Sequence, residues 1–185
     1  MAKSKKTAKK AAKKPMKKAT KGAKKSVAKK SKKVQAIPKG YHSLTPYLIV
    51  NGAKNAIEFY KKAFGAKLVF CMDKEGGKVG HAEMQIGDSK FMLADEHPEL
   101  GAIAPQSSHR SPVGMHLYIK DVDAVVARAV AAGAKVTRPT ADQFYGDRSC
   151  GLEDPFGHCW YVSTHIEDVT PAQIKKRLAE MGGCH

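Results

Sequence analysis

Length and charge set the first limits: 185 residues supply one domain, and the formal net charge of +16 is carried at one end of the chain. Seventeen of the 33 Lys and Arg, and none of the 17 Asp and Glu, fall in residues 1–39, which leaves sixteen basic and seventeen acidic side chains for the near-neutral remainder. No apolar run reaches the ~20 residues of a membrane span, no apolar stretch follows the basic N-terminus as in a secretory signal, and the four cysteines lack the paired spacing of a zinc site.

Residues 1–39 are lysines spaced by Ala, Ser and Thr, with no aromatic before Tyr41. Like charges three and four apart, and no apolar face to bury, predict a mobile polycation. Residues 44–50 (LTPYLIV) read as a strand with Pro46 near its start. Asn51-Gly52 then opens a helix to about Phe64. Its apolar face is Ala53, Ala56, Ile57, Tyr60, Ala63 and Phe64. Residues 67–72 form the next strand, and Gly76-Gly77 a turn. In residues 80–86, Ala82, Met84 and Ile86 alternate with His81, Glu83 and Gln85, the pattern of a half-buried strand. Residues 90–94 return after the turn at Gly87-Asp88.

A polar connection over residues 95–112 leads into the same order again. Residues 115–119 read as a strand with His116 and Tyr118 on one face. Asp121 caps a helix whose apolar face is Val122, Val125, Val126, Ala129 and Val130. A strand begins at 134–137, and strands 147–153 and 158–164 flank the turn Asp154-Pro155-Phe156-Gly157. Gly65-Ala66-Lys67-Leu68 matches Gly133-Ala134-Lys135-Val136, and Phe91-Met92-Leu93 stands where Trp160-Tyr161-Val162 stands in the second half. The pattern is two β-α-β-β-β modules, about 43–97 and 112–165. Neither closes a core alone, so together they predict one α+β domain over 40–185. A terminal helix, about 170–182, starts at Thr170-Pro171-Ala172-Gln173 and carries the stripe Ile174, Leu178 and Met181.

The segments PYLIVNGAKNAIEFYKKAFGAKL and FYGDRSCGLEDPFGHCWYVSTHIEDV, with the strand and turn between 80 and 88, resemble the vicinal oxygen chelate superfamily of glyoxalase I, bleomycin resistance proteins and dioxygenases. The phosphonate-operon-associated branch is the most similar. The resemblance covers roughly residues 41–182 and implies an open, curled sheet from each module around a small-molecule cavity, and a homodimer. It also implies a divalent metal held from the first and last strands of both modules. The positions that correspond are Thr45, Met92, Gly114 and Tyr161, a set without the imidazole and carboxylate donors such metals need. No tightly held metal is expected there, and no other cofactor is indicated.

Several polar residues share strand faces that the resemblance turns toward the cavity. His81, Glu83 and His116 would supply two imidazoles and a carboxylate, a set suited to a rearranged metal site or to proton transfer. Each is explained equally well as part of a solvated sheet face. Arg148 suits a bidentate grip on an anionic ligand, or else an ion pair with Asp147, Glu153 or Asp154. Tyr47, Tyr118, Tyr145, Trp160 and Tyr161 provide an aromatic lining. Enzyme and non-catalytic ligand-binding protein both remain open. The lysine-rich segment is expected to bind DNA or RNA through phosphates without reading bases, and the thiols favour a reducing cytoplasm.

Overall fold

The computed structural model describes residues 34–106 and 111–182. Of the polycation expected over residues 1–39, residues 1–33 lie outside them, as do His109, Arg110 and Cys184. The first module runs β1 (Tyr47–Val50), α1 (Ala53–Phe64), β2 (Lys67–Asp73), β3 (Val79–Ile86) and β4 (Ser89–Asp95). The second repeats it as β5 (Gly114–Tyr118), α2 (Val122–Ala131), β6 (Lys135–Asp142), β7 (Asp147–Glu153) and β8 (Cys159–His165), and α3 (Pro171–Glu180) follows. Each module forms one four-stranded sheet, in the orders β1-β4-β3-β2 and β5-β8-β7-β6. In both, the first strand pairs parallel with the last and the other pairs are antiparallel.

Alternation along the strands sorts each sheet into two faces. Val79, Ala82, Met84, Phe91 and Leu93 of the first sheet, and Cys150, Leu152, Trp160 and Val162 of the second, are buried with the helices in one core. Helix α1 contributes Ile57, Phe59, Tyr60 and Phe64, each worth roughly 1.5–3 kcal/mol on full burial. The modules share this core directly: the Phe64 and Trp160 ring centroids are 4.6 Å apart, and His158 Nε2 lies 3.0 Å from the carbonyl oxygen of Ile49. The opposite face of each sheet, here called the outer face, carries Tyr47, His81 and Glu83 in one module and His116, Tyr118 and Tyr161 in the other.

The ends of α1 and α2 are tied in different ways. Asp121 caps α2 through Ala124 N–H at 2.9 Å. For α1 the carboxylate comes from β4: Asp95 accepts from Gly52 and Ala53 N–H, both at 2.9 Å, and from Val79 N–H at 2.7 Å. A negative charge at a helix N-terminus is stabilising. The position equivalent to Asp95 is Thr164, whose hydroxyl accepts from Val122 N–H and donates to the Ile119 carbonyl, both at 2.9 Å. At α3 the anticipated capping box forms between Thr170 and Gln173. Cys71, Cys150 and Cys159 are free thiols. Among the described residues no helix is long and apolar enough to cross a membrane.

Candidate functional site

A cleft of about 450 Å³ opens along the seam between β5 and the first module, where the segment ahead of β1 and the turn between β3 and β4 face it. Its walls include His42, Pro46 and Lys90 from the first module and Met115, His116 and Tyr118 from β5, with Trp160 also lining it. Trp160 is otherwise a core residue, 3 % exposed, whose Nε1–H donates to Asp154 at 2.9 Å. The other aromatics stand more open. Tyr118 is 61 % exposed and Tyr161 42 %. The His116 ring lies between them, 4.7 Å from Tyr118 and 6.4 Å from Tyr161 by centroid.

Tyr118 leads into a polar network that crosses the sheet. Its hydroxyl donates to Asp147 on β7 at 2.8 Å, passing β8, and the other oxygen of Asp147 lies 2.8 Å from Nδ1 of His165. Nε2 of His165 is 3.0 Å from Asp168. The hydrogen bonds to Asp147 and then Asp168 raise the His165 pKa, and the bond to Asp147, followed by burial, raises that of Tyr118. Tyr145, in the turn between β6 and β7, is close enough to bear on the Tyr118 phenol. A phenol held protonated beside a buried carboxylate is a fixed dipole and a hydrogen-bond acceptor toward anything lying on the sheet.

The outer face of the first sheet has its own cluster. Tyr47 hydroxyl and His81 Nδ1 are 3.0 Å apart, His81 Nε2 is 3.7 Å from Glu83, and Lys90 is 3.9 Å from the other Glu83 oxygen. The Lys90 ammonium also sits 4.0 Å over the Tyr41 ring. Burial, and after it the Glu83 carboxylate, pushes the Tyr41 phenol up to about 12. The structure thus brings His81 and Glu83 together and leaves His116 on the other sheet. Among the described residues no three His, Cys, Asp or Glu side chains converge as a metal-binding group.

The positions implied for the superfamily's metal do come together in pairs. The Pro46 carbonyl, next to Thr45, accepts from Met92 N–H at 2.8 Å. In the second module a β-carbon on Gly114 would collide with the Tyr161 ring, so that ring fills the space a ligating side chain on β5 would use. A thioether, a threonine hydroxyl, a phenol and a glycine do not fit a divalent cation. Arg148 is not poised for a ligand either. Its Nε and Nη2 donate to both oxygens of Asp123 at 2.8 and 2.9 Å, and Nη1 to Asp142 at 2.8 Å. Those hydrogen bonds raise its pKa above the usual arginine value and lower that of Asp123. The residue that sequence reasoning passed over is Arg138 on β6, whose guanidinium reaches the Tyr161 ring at 5.8 Å. The run KVTRPTAD gives no signal for it, because its neighbours come from β7 and β8.

Three comparisons with known proteins agree with this architecture. A protein of Mycobacterium bovis is 36 % identical over 143 residues, which span 76 % of this chain and 94 % of that protein. A solved Arabidopsis thaliana structure superposes with a TM-score of 0.54 at 31 % identity, covering 66 % of this chain and 98 % of that one. A Bacillus cereus structure described as a PhnB protein does so with a TM-score of 0.54 at 18 % identity, over 66 % and 99 %, a likeness of fold alone. The profile of the Glyoxalase/Bleomycin resistance protein/Dioxygenase superfamily matches residues 41–162, and the chain belongs to that superfamily.

Proposed function

We propose that the protein binds a small molecule on the outer face of its second sheet, with the seam cleft as the approach. The observation that carries this is the open aromatic row Tyr118, His116 and Tyr161, set on neighbouring strands and continued across the sheet by the Tyr118–Asp147–His165 network. Large aromatics on a concave or open surface are costly to leave in water and effective at holding flat ligands. The ligand chemistry proposed does not pass through a metal, because the donor set at the implied positions does not fit one. A thermal-shift screen of the full chain against small aromatic compounds tests the reading. A ligand at 100 times its Kd adds about 2.7 kcal/mol of stability, and Tyr161→Ala or His116→Ala should remove that gain while leaving the ligand-free protein folded. Hits that stabilise both variants as well as the wild type would sink it.

A second copy of the chain is proposed to cover the open edge of the first sheet. Strand β2, at the edge of the first sheet, exposes Leu68, Val69, Phe70 and Met72 together, an arrangement that invites pairing or burial. Sedimentation should therefore give a dimer at micromolar concentration. Monomer alone across that range would contradict it. Separately, the lysine-rich segment is proposed to hold the protein on DNA or RNA, on the strength of the charge division along the chain.

A further inference from the structure

Arg138 differs from the arginines that pin the surface. Arg148 is clasped by Asp123 and Asp142, and Arg177 by Glu167. Among the described residues no carboxylate pairs with Arg138. Its Nη2 donates to the hydroxyl of Ser149 at 3.0 Å, and its guanidinium carbon stands 5.8 Å from the centre of the Tyr161 ring. A guanidinium carries five N–H donors in a rigid fork, and among the described residues Ser149 alone accepts from this one.

Three features of the sheet build a seat around it. Gly151 on β7 pairs with Arg138 on one side and Tyr161 on the other. A β-carbon at Gly151 would come within 2.9 Å of Thr137 Oγ1 and 3.1 Å of Arg138 Cβ, so the bare backbone is what lets the arginine cross toward β8. Gly114 does the same for Tyr161, whose ring occupies the space a side chain there would take. Two residues along the same face Ser149 and Ser163 pair across β7 and β8, both fully buried. Ser163 Oγ has no hydrogen-bond partner among the described residues, and strand alternation puts it on the same side as Tyr161. A buried hydroxyl left unpaired is unusual enough to require a reason.

We propose that Arg138 is an anion anchor, and that with Tyr161 and the Ser149–Ser163 pair it selects small molecules carrying a carboxylate or phosphate oxyanion beside a flat ring. The inference rests on the reading of this face as the ligand surface and names the ligand class. The planar fork matches two oxyanion oxygens at once, and the Tyr161 and His116 rings offer an aromatic surface beside the anchor. Lysine would supply charge without the fork.

Benzoate, phenyl phosphate and neutral benzamide separate the possibilities, titrated into the full chain at 150 mM salt with the fluorescence of Trp160, the one tryptophan, as readout. The two anions should bind more tightly than benzamide. Arg138→Gln should weaken them by about tenfold or more and leave benzamide unchanged. Arg138→Lys should recover only part of the loss, and Arg148→Gln should leave all three affinities in place. Because the lysine-rich segment is the same in every variant, its background attraction for anions cancels. Equal binding of benzoate and benzamide, or an Arg138→Gln protein with wild-type affinity for the anions, overturns the anchor and leaves the ligand face standing. Absence of saturable binding by all three probes overturns both.

Discussion

Replacing Asp154 with alanine should cost on the order of 2–6 kcal/mol of folding stability, enough to threaten folding of the domain. One oxygen of this carboxylate accepts from the Tyr60 hydroxyl at 2.8 Å and Trp160 Nε1–H at 2.9 Å, and the other from the N–H groups of Phe156 and His158, both at 2.9 Å. Asp154 is 3 % exposed, and Tyr60 and Trp160 are buried with it. The change therefore strands two side-chain donors in the core, each at about 1–3 kcal/mol, and releases the turn between β7 and β8. Asp154→Asn should do little better, since either amide orientation points an NH₂ group at existing donors. The carboxylate beside it holds Tyr60 well above the usual phenol range after the larger effect of burial, so the phenol stays a donor at any working pH. Urea denaturation of wild type, Asp154→Ala, Tyr60→Phe and the double variant gives the coupling directly. A loss for Asp154→Ala within about 0.5 kcal/mol, the range of ordinary surface changes, would show that the four hydrogen bonds are not holding the modules together.

The second large effect is on nucleic-acid binding. The charge of residues 1–39 is about +17 and that of the rest about −1, so phosphate contacts should come from the segment and not from the folded domain. Each lysine that neutralises a phosphate releases condensed counterions. With roughly six to ten engaged, affinity for a random duplex should fall about 10³–10⁵-fold between 50 and 200 mM salt. Sequence preference should be slight, because lysine–phosphate contacts do not distinguish bases. A chain beginning at Lys39 should lose this binding while keeping its thermal stability. Equal affinity of the two chains, or a strong preference for one duplex, would move the binding surface onto the domain.

Much of the fold was legible because it is written in local patterns and then written again. The 3.6-residue spacing of Ile57, Tyr60 and Phe64, the alternation over residues 80–86, and the repeat that sets Phe91 opposite Trp160 all survive in the structure. The boundaries that moved have local reasons. Strand β1 begins at Tyr47 after Pro46, and β6 runs on to Asp142 through Pro139, which an edge strand with irregular pairing tolerates. What stayed hidden depends on distant partners. Asp95 read as the start of a loop, yet it holds α1 from forty residues downstream in the chain. Arg148 was set against its neighbours Asp147, Glu153 and Asp154, but successive residues on a strand face opposite ways, and its guanidinium bonds Asp123 and Asp142. The aromatic row could be named from sequence as Tyr118 and Tyr161. His116 could be set beside Tyr118 on one strand face, but bringing Tyr161 and Arg138 to them required the register of β5, β8, β7 and β6.

Backbone amide mapping of the full chain during a benzoate titration tests the ligand face most directly. The account predicts saturable shifts that share one dissociation constant and cluster on residues turned to the outer face of β5, β7 and β8, with Ser149, Tyr161 and Ser163 among the largest. Shifts confined to residues 1–39, or centred on the His81–Glu83 face of the first sheet, would contradict it.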